Sequence, residues 1–111
     1  MPKDPLVYIH HIHDCIVQIV KYTAGMNQQD FLNNRLVQDA VIRNFEIIGE
    51  ATKNLDEDFR RSHPHVEWKK MAGMRDKLIH DYIGVDTWAV WGVVENILPE
   101  LQTQILKILN K

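Results

Sequence analysis

Between Pro5 and about Tyr22 the apolar side chains Ile9, Ile12, Ile16 and Ile19 recur at spacings of three, four and three. That period puts them on one side of an α-helix and predicts a first long helix with this side buried. Asp4 and Pro5 suit its opening, because a carboxylate accepts otherwise unpaired amide hydrogens and proline fits the first turn. Gly25 closes it. The run Asn27-Gln28-Gln29-Asp30-Phe31 reads as a capped short helix or turn. From Arg35 to about Leu55, the residues Val37, Ala40, Val41, Ile48 and Leu55, with Phe45 beside them, mark one side of a second long helix. Asp56 to His65 is a polar connector with room for one helical turn, and Pro64 stops any helix entering it.

A third period, Trp68, Met71, Met74 and Leu78, predicts a helix from Trp68 to near Gly84. Asp86-Thr87 then supplies an N-cap for a last helix carrying Trp91, Val94, Leu98, Leu101, Ile105 and Ile108. Pro99 is expected to kink this helix rather than end it, since the period continues on both sides. The alternation expected of strands is nowhere sustained. The pattern therefore predicts an all-α, antiparallel four-helix bundle with a short additional helix, formed by residues 1–111 as a single domain.

Composition changes this picture little. Apolar residues at 45% and charged residues at 25% are an ordinary globular balance. The N-terminal segment is interrupted by histidines and lacks the apolar run of a signal peptide or spanning helix, so a cytoplasmic location is expected. A net charge of −2 argues against binding nucleic acid by bulk electrostatics, so any such contact must be local. The single cysteine, Cys15, cannot form a disulfide within the chain and reads as a small core side chain.

Chemistry concentrates at Met74 to Tyr82, where Arg75, His80 and Tyr82 stand in the order R-x-x-x-x-H-x-Y on the apolar period of the third helix. This order of residues resembles the motif of HEPN-domain ribonucleases, and cleaving an RNA phosphodiester without metal requires a base for the 2′-hydroxyl, a proton for the departing 5′ oxygen and positive charge against the transition state. Histidine serves either proton role near neutral pH, and the planar guanidinium matches two phosphate oxygens. One chain offers only one of each in this motif, and five residues of helix separate them by about 140° around the axis. Two chains about a twofold axis supply two arginines and two histidines to one cleft, so a homodimeric site is expected.

The trailing tyrosine of the motif is similar to that of the HepT toxins of HepT–MntA toxin–antitoxin pairs. The likeness spans essentially the whole chain. Arg43-Asn44-Phe45-Glu46-Ile47-Ile48-Gly49-Glu50-Ala51 resembles that family's second-helix signature, and Trp68-Lys69-Lys70-Met71-Ala72-Gly73-Met74 resembles its approach to the motif. Gly84-Val85-Asp86 and Leu98-Pro99 also fit. The resemblance implies a dimeric helical bundle that cleaves RNA without a metal or other cofactor, generally leaving a 2′,3′-cyclic phosphate. It implies that Arg75 holds the scissile phosphate and that His80 acts on the 2′-hydroxyl or the leaving oxygen. Asp76, four residues before His80, would orient the imidazole and favour its protonated form. Tyr82 matches the tyrosine that a partner MntA-like nucleotidyltransferase antitoxin modifies with AMP, and an anionic adenylate there would block and neutralise the arginine.

Each of these features also has a plainer reading. Arg75 and His80 suit an interface network without chemistry, and the chain as a whole suits a non-catalytic HEPN module that binds a nucleotidyltransferase. Asp39, Arg43, Glu46 and Glu50 form a narrow polar stripe on the second long helix, either a solvated face or the wall of a polar cleft. His10, His13, Asp14, His63 and His65 invite a metal site, although no established ligand pattern joins them. Trp68, Trp88 and Trp91 suit core or dimer anchors better than base stacking. Lys69, Lys70 and Lys77 are either a local basic rim or ordinary solvated lysines.

Overall fold

The computed structural model describes residues 4–73 and 86–110, and every described element is helical. In chain order these are α1 (Pro5–Thr23), α2 (Gln28–Leu32), α3 (Arg35–Lys53), α4 (Glu57–Ser62), α5 (68–73), α6 (Thr87–Asn96) and α7 (Leu98–Ile108). The all-α expectation holds.

Local chemistry sets where these helices begin and end. At the start of α1, Asp4 accepts the amide of Leu6 at 2.9 Å with Pro5 in the first turn; past its end, Gly25 takes a φ of +76°, a conformation that favours glycine. Asn27 and Asp30 form a reciprocal capping box at the start of α2. The Gln38 side chain, on α3, donates to the carbonyls of Phe31 and Leu32 and so satisfies the end of α2 from the next helix. Asn34, Asp56 and Asp86 cap α3, α4 and α6 in the same manner as Asp4 caps α1.

The last predicted helix is two helices, interrupted at Ile97 rather than kinked at Pro99. Pro99 has no amide hydrogen to give the carbonyl four residues earlier, and its ring crowds that carbonyl, so the strain appears upstream of the proline. Pro99 occupies the first turn of α7, where the missing hydrogen costs nothing. The bonds from Ile97 to Val93 and from Leu101 to Ile97 persist, and Val94, Leu98, Leu101 and Ile105 all remain buried. The apolar period thus survives the break.

The core is one cluster. Ile9, Ile12, Ile16 and Ile19 of α1 face Val41, Phe45 and Ile48 of α3, with Leu98, Leu101 and Ile105 of α7 alongside. Complete burial of each such side chain stabilises by roughly 1.5–3 kcal/mol before conformational entropy is counted. Phe31 of α2 closes one end, its ring 5.3 Å from that of Trp91 on α6. The connector folds back through α4, where the Arg60 guanidinium donates to the Thr52 carbonyl at 2.7 Å and caps the end of α3.

Candidate functional site

Arg75, Asp76, His80 and Tyr82, the residues singled out by the sequence, lie outside the described residues, as does Lys77. The structure does describe the residues that precede and follow the stretch 74–85. On the entry side, Trp68 is the first residue of α5 and is buried, as is Met71. The indole Nε1 donates to the His63 carbonyl at 2.9 Å, and Phe59 stacks obliquely on both His63 and Trp68, so the connector and α5 form one unit. On the exit side, Asp86 accepts the amides of Trp88 and Ala89 at 3.0 and 3.3 Å, fixing the first turn of α6, while Val90 and Trp91 enter the core.

Among the described residues the surface beside Trp68 carries both signs of charge. Lys69 and Lys70 are exposed, and Lys70 pairs with Glu67 at 3.3 Å. Beside them a groove of about 250 Å³ opens between α3, α5 and the α6–α7 junction, with an apolar floor that includes Phe45, Ile48, Met71 and Leu101 and a rim that includes His65, Glu100 and Gln104. Gln104 bridges the rim by donating to the His65 carbonyl at 3.2 Å.

The polar stripe of α3 lies opposite its buried face. Asp39 and Arg43 are exposed and Glu46 is half-buried, and Asp39 meets Arg35 at 3.8 Å. An exposed pair of this kind contributes little to stability. The three tryptophans divide: Trp68 and Trp91 are core residues, whereas Trp88 is 60% exposed, two positions after Asp86. That exposure was not legible in the helical period, which gives position but not depth. His10, His13, Asp14, His63 and His65 do not assemble, because no group of three or more potential metal ligands occurs among the described residues. Cys15 is buried, and desolvation, with the Asp14 charge second, pushes its thiol up to about 11. Among the described residues no helix is long and apolar enough to cross a membrane.

Comparison with known proteins bears on the whole chain. The family described as "Ribonuclease HepT-like" matches residues 12–108. "Probable ribonuclease HepT" of Thermococcus cleftensis is 45% identical over 101 residues, covering 91% of this chain and 92% of that one. "Putative RNase MJ1216" of Methanocaldococcus jannaschii is 40% identical over 111 residues, covering 99% of this chain and 92% of that one. A longer protein of the same organism, "Gamma-glutamylcyclotransferase and putative RNase MJ0434", is 46% identical over 111 residues, and this chain spans 50% of its length. No solved structure matches the chain. With the family match extending from α1 to the end of α7 and these relatives covered almost end to end in two cases, the chain belongs to the HepT-like ribonuclease family.

Proposed function

We propose that this protein is a metal-independent endoribonuclease whose active site is shared by two chains, and that it acts as a toxin restrained by an MntA-like nucleotidyltransferase antitoxin. The observation that carries this reading is the order Arg75, His80, Tyr82 at R-x-x-x-x-H-x-Y spacing in a chain of the HepT-like ribonuclease family. Arg75 from each chain holds the scissile phosphate and offsets the charge gathering on its oxygens. Two His80 imidazoles divide the proton work: one takes the 2′-hydroxyl proton and the other gives a proton to the departing 5′ oxygen. The 2′ oxygen bonds to phosphorus as the 5′ oxygen leaves, which yields a 2′,3′-cyclic phosphate and a 5′-hydroxyl. Asp76 orients His80. Adenylylation of Tyr82 by the antitoxin places a bulky anion against the arginine and stops the reaction.

The test is cleavage of a mixed RNA pool by purified unmodified protein in excess chelator. The expected result is activity that falls by about 10²–10⁴-fold in His80→Ala and by a comparable factor in Arg75→Ala. Equal activity in wild type and both variants would remove these residues from the chemistry. Incubation with the antitoxin and ATP should add one AMP to Tyr82, found by mass spectrometry and absent in Tyr82→Phe. Tight binding of the antitoxin without RNA cleavage by any form would favour a non-catalytic module instead.

A further inference from the structure

Helix α1 carries a second stripe beside its buried isoleucines. Leu6, His10, His13, Val17 and Val20 follow one another at spacings of four, three, four and three, the period of a helix–helix seam. Leu6 and Val20 are 40% and 43% exposed, His10 is exposed, and His13 and Val17 are half-buried. None of the five carries a fixed charge. Neither imidazole has a hydrogen-bond or ionic partner among the described residues.

Four of the five positions, Leu6 to Val17, are their own complement. If a second copy of α1 is laid against them in the opposite direction, one register sets His10 against the partner's His13 and Leu6 against the partner's Val17. By the twofold axis the same two layers then repeat in reverse order. In these layers imidazoles meet only imidazoles and aliphatics meet only aliphatics, with Val20 beyond them opposite the partner's position 3, whereas a shift of seven residues would press each histidine against a valine. The central layers then hold four imidazoles. Residues three apart on a helix lie about 5–6 Å from each other at Cβ, close enough to aim two nitrogens at one ion. One chain supplies two ligands and no third comes near among the described residues, so a tetrahedral site is half complete until the partner arrives.

We infer that α1 is a zinc-bridged pairing surface, on which two chains associate in antiparallel fashion and His10 and His13 of each bind one Zn²⁺. The pairing rests on α1 alone and not on the ribonuclease reading; its zinc dependence makes it additional to any association that serves cleavage in chelator.

The register can be tested directly. Leu6 and Val17 of one chain are about 16 Å apart along the helix, beyond the reach of a disulfide, so a protein carrying Leu6→Cys and Val17→Cys can link these positions only between chains. Oxidation in the presence of zinc chloride should give a covalent dimer joined from position 6 to position 17, mapped by peptide mass spectrometry, with a yield that drops on chelation. Titration calorimetry of the unaltered protein should find one zinc per two chains. The combined change His10→Ala and His13→Ala, at positions outside the core, should weaken zinc binding at least 100-fold while circular dichroism shows an intact fold. One zinc per chain, no zinc bound, or a 6-to-17 linkage that is absent or indifferent to zinc would each overturn the inference. RNA cleavage in chelator is measured separately, so loss of the pairing leaves the ribonuclease reading standing, and loss of cleavage leaves the pairing standing.

Discussion

The indole of Trp68 donates its hydrogen to the carbonyl of His63 at 2.9 Å, so the helix that leads toward the motif is tied at its first residue back into the connector. Because Trp68 is 5% exposed, it contributes both burial and this bond. Trp68→Phe keeps most of the burial and removes one of the two hydrogen bonds that the His63 carbonyl accepts, the other coming from the Val66 amide at 3.3 Å, and should cost about 0.5–1.5 kcal/mol. Trp68→Ala also leaves a cavity and should cost about 3–5 kcal/mol. Urea midpoints of the two variants and the wild type give the comparison, and a Trp68→Phe variant as stable as the wild type would mean that the hydrogen bond contributes nothing apart from packing.

Asp86 performs the matching task on the exit side, where its carboxylate accepts two amides of the first turn of α6. Asp86→Ala should destabilise by about 1 kcal/mol, and Asp86→Asn, which keeps an accepting oxygen, should recover most of it. Thermal melts at matched ionic strength separate the cap from the charge. If the alanine variant melts with the wild type, the two amides are satisfied by solvent and the cap contributes nothing to the start of α6.

The sequence disclosed the fold through its periods and caps. The isoleucines of α1, the capped short helix that follows Asn27 and the Asp86 cap all stand where spacing put them, because each depends on neighbours within one turn. The interruption at Ile97 was harder to place, since an unbroken apolar period says which side is buried but not how the backbone absorbs a proline two residues downstream. Trp88 shows the same gap: at helical spacing from Trp91, it lies mostly in solvent because α6 meets its neighbours along Val90, Trp91 and Val94. The candidate site was legible as an order of residue types. The proposal that two chains share it rests on supply and helical geometry, which a single chain does not display.

The exposure of Trp88 leads to a prediction about RNA. An indole 60% open to solvent, next to the cap that follows the motif stretch, offers a face on which a base can stack. Stacking of one base is worth about 1–3 kcal/mol, so Trp88→Ala should weaken binding of a single-stranded RNA by roughly 5–150-fold. Stability should change by no more than about 0.5 kcal/mol, as for other surface positions. Fluorescence anisotropy with labelled RNA, set beside a urea melt, tells the two effects apart. Unchanged affinity would return Trp88 to an interface role.

Cys15 gives the clearest dependence on pH. Burial, and after it the neighbouring Asp14 charge, raises its thiol from 9.0 to about 11, so the folded protein holds the proton more tightly than the unfolded chain does. The stability linked to this group is therefore fully present below pH 9 and is lost as pH rises through about 11. Since the thiolate is the reactive form, a thiol reagent at pH 8 should modify Cys15 at the rate at which the protein opens, not at the rate of a free thiol. Cys15→Ala removes the titration while tyrosine and lysine titrations remain, so the difference between the two proteins in urea midpoint should shift against the wild type between pH 9 and 11. A difference that stays constant across that range, or rapid labelling of the folded protein at pH 8, would show that the thiol is not enclosed by α1 and its neighbours.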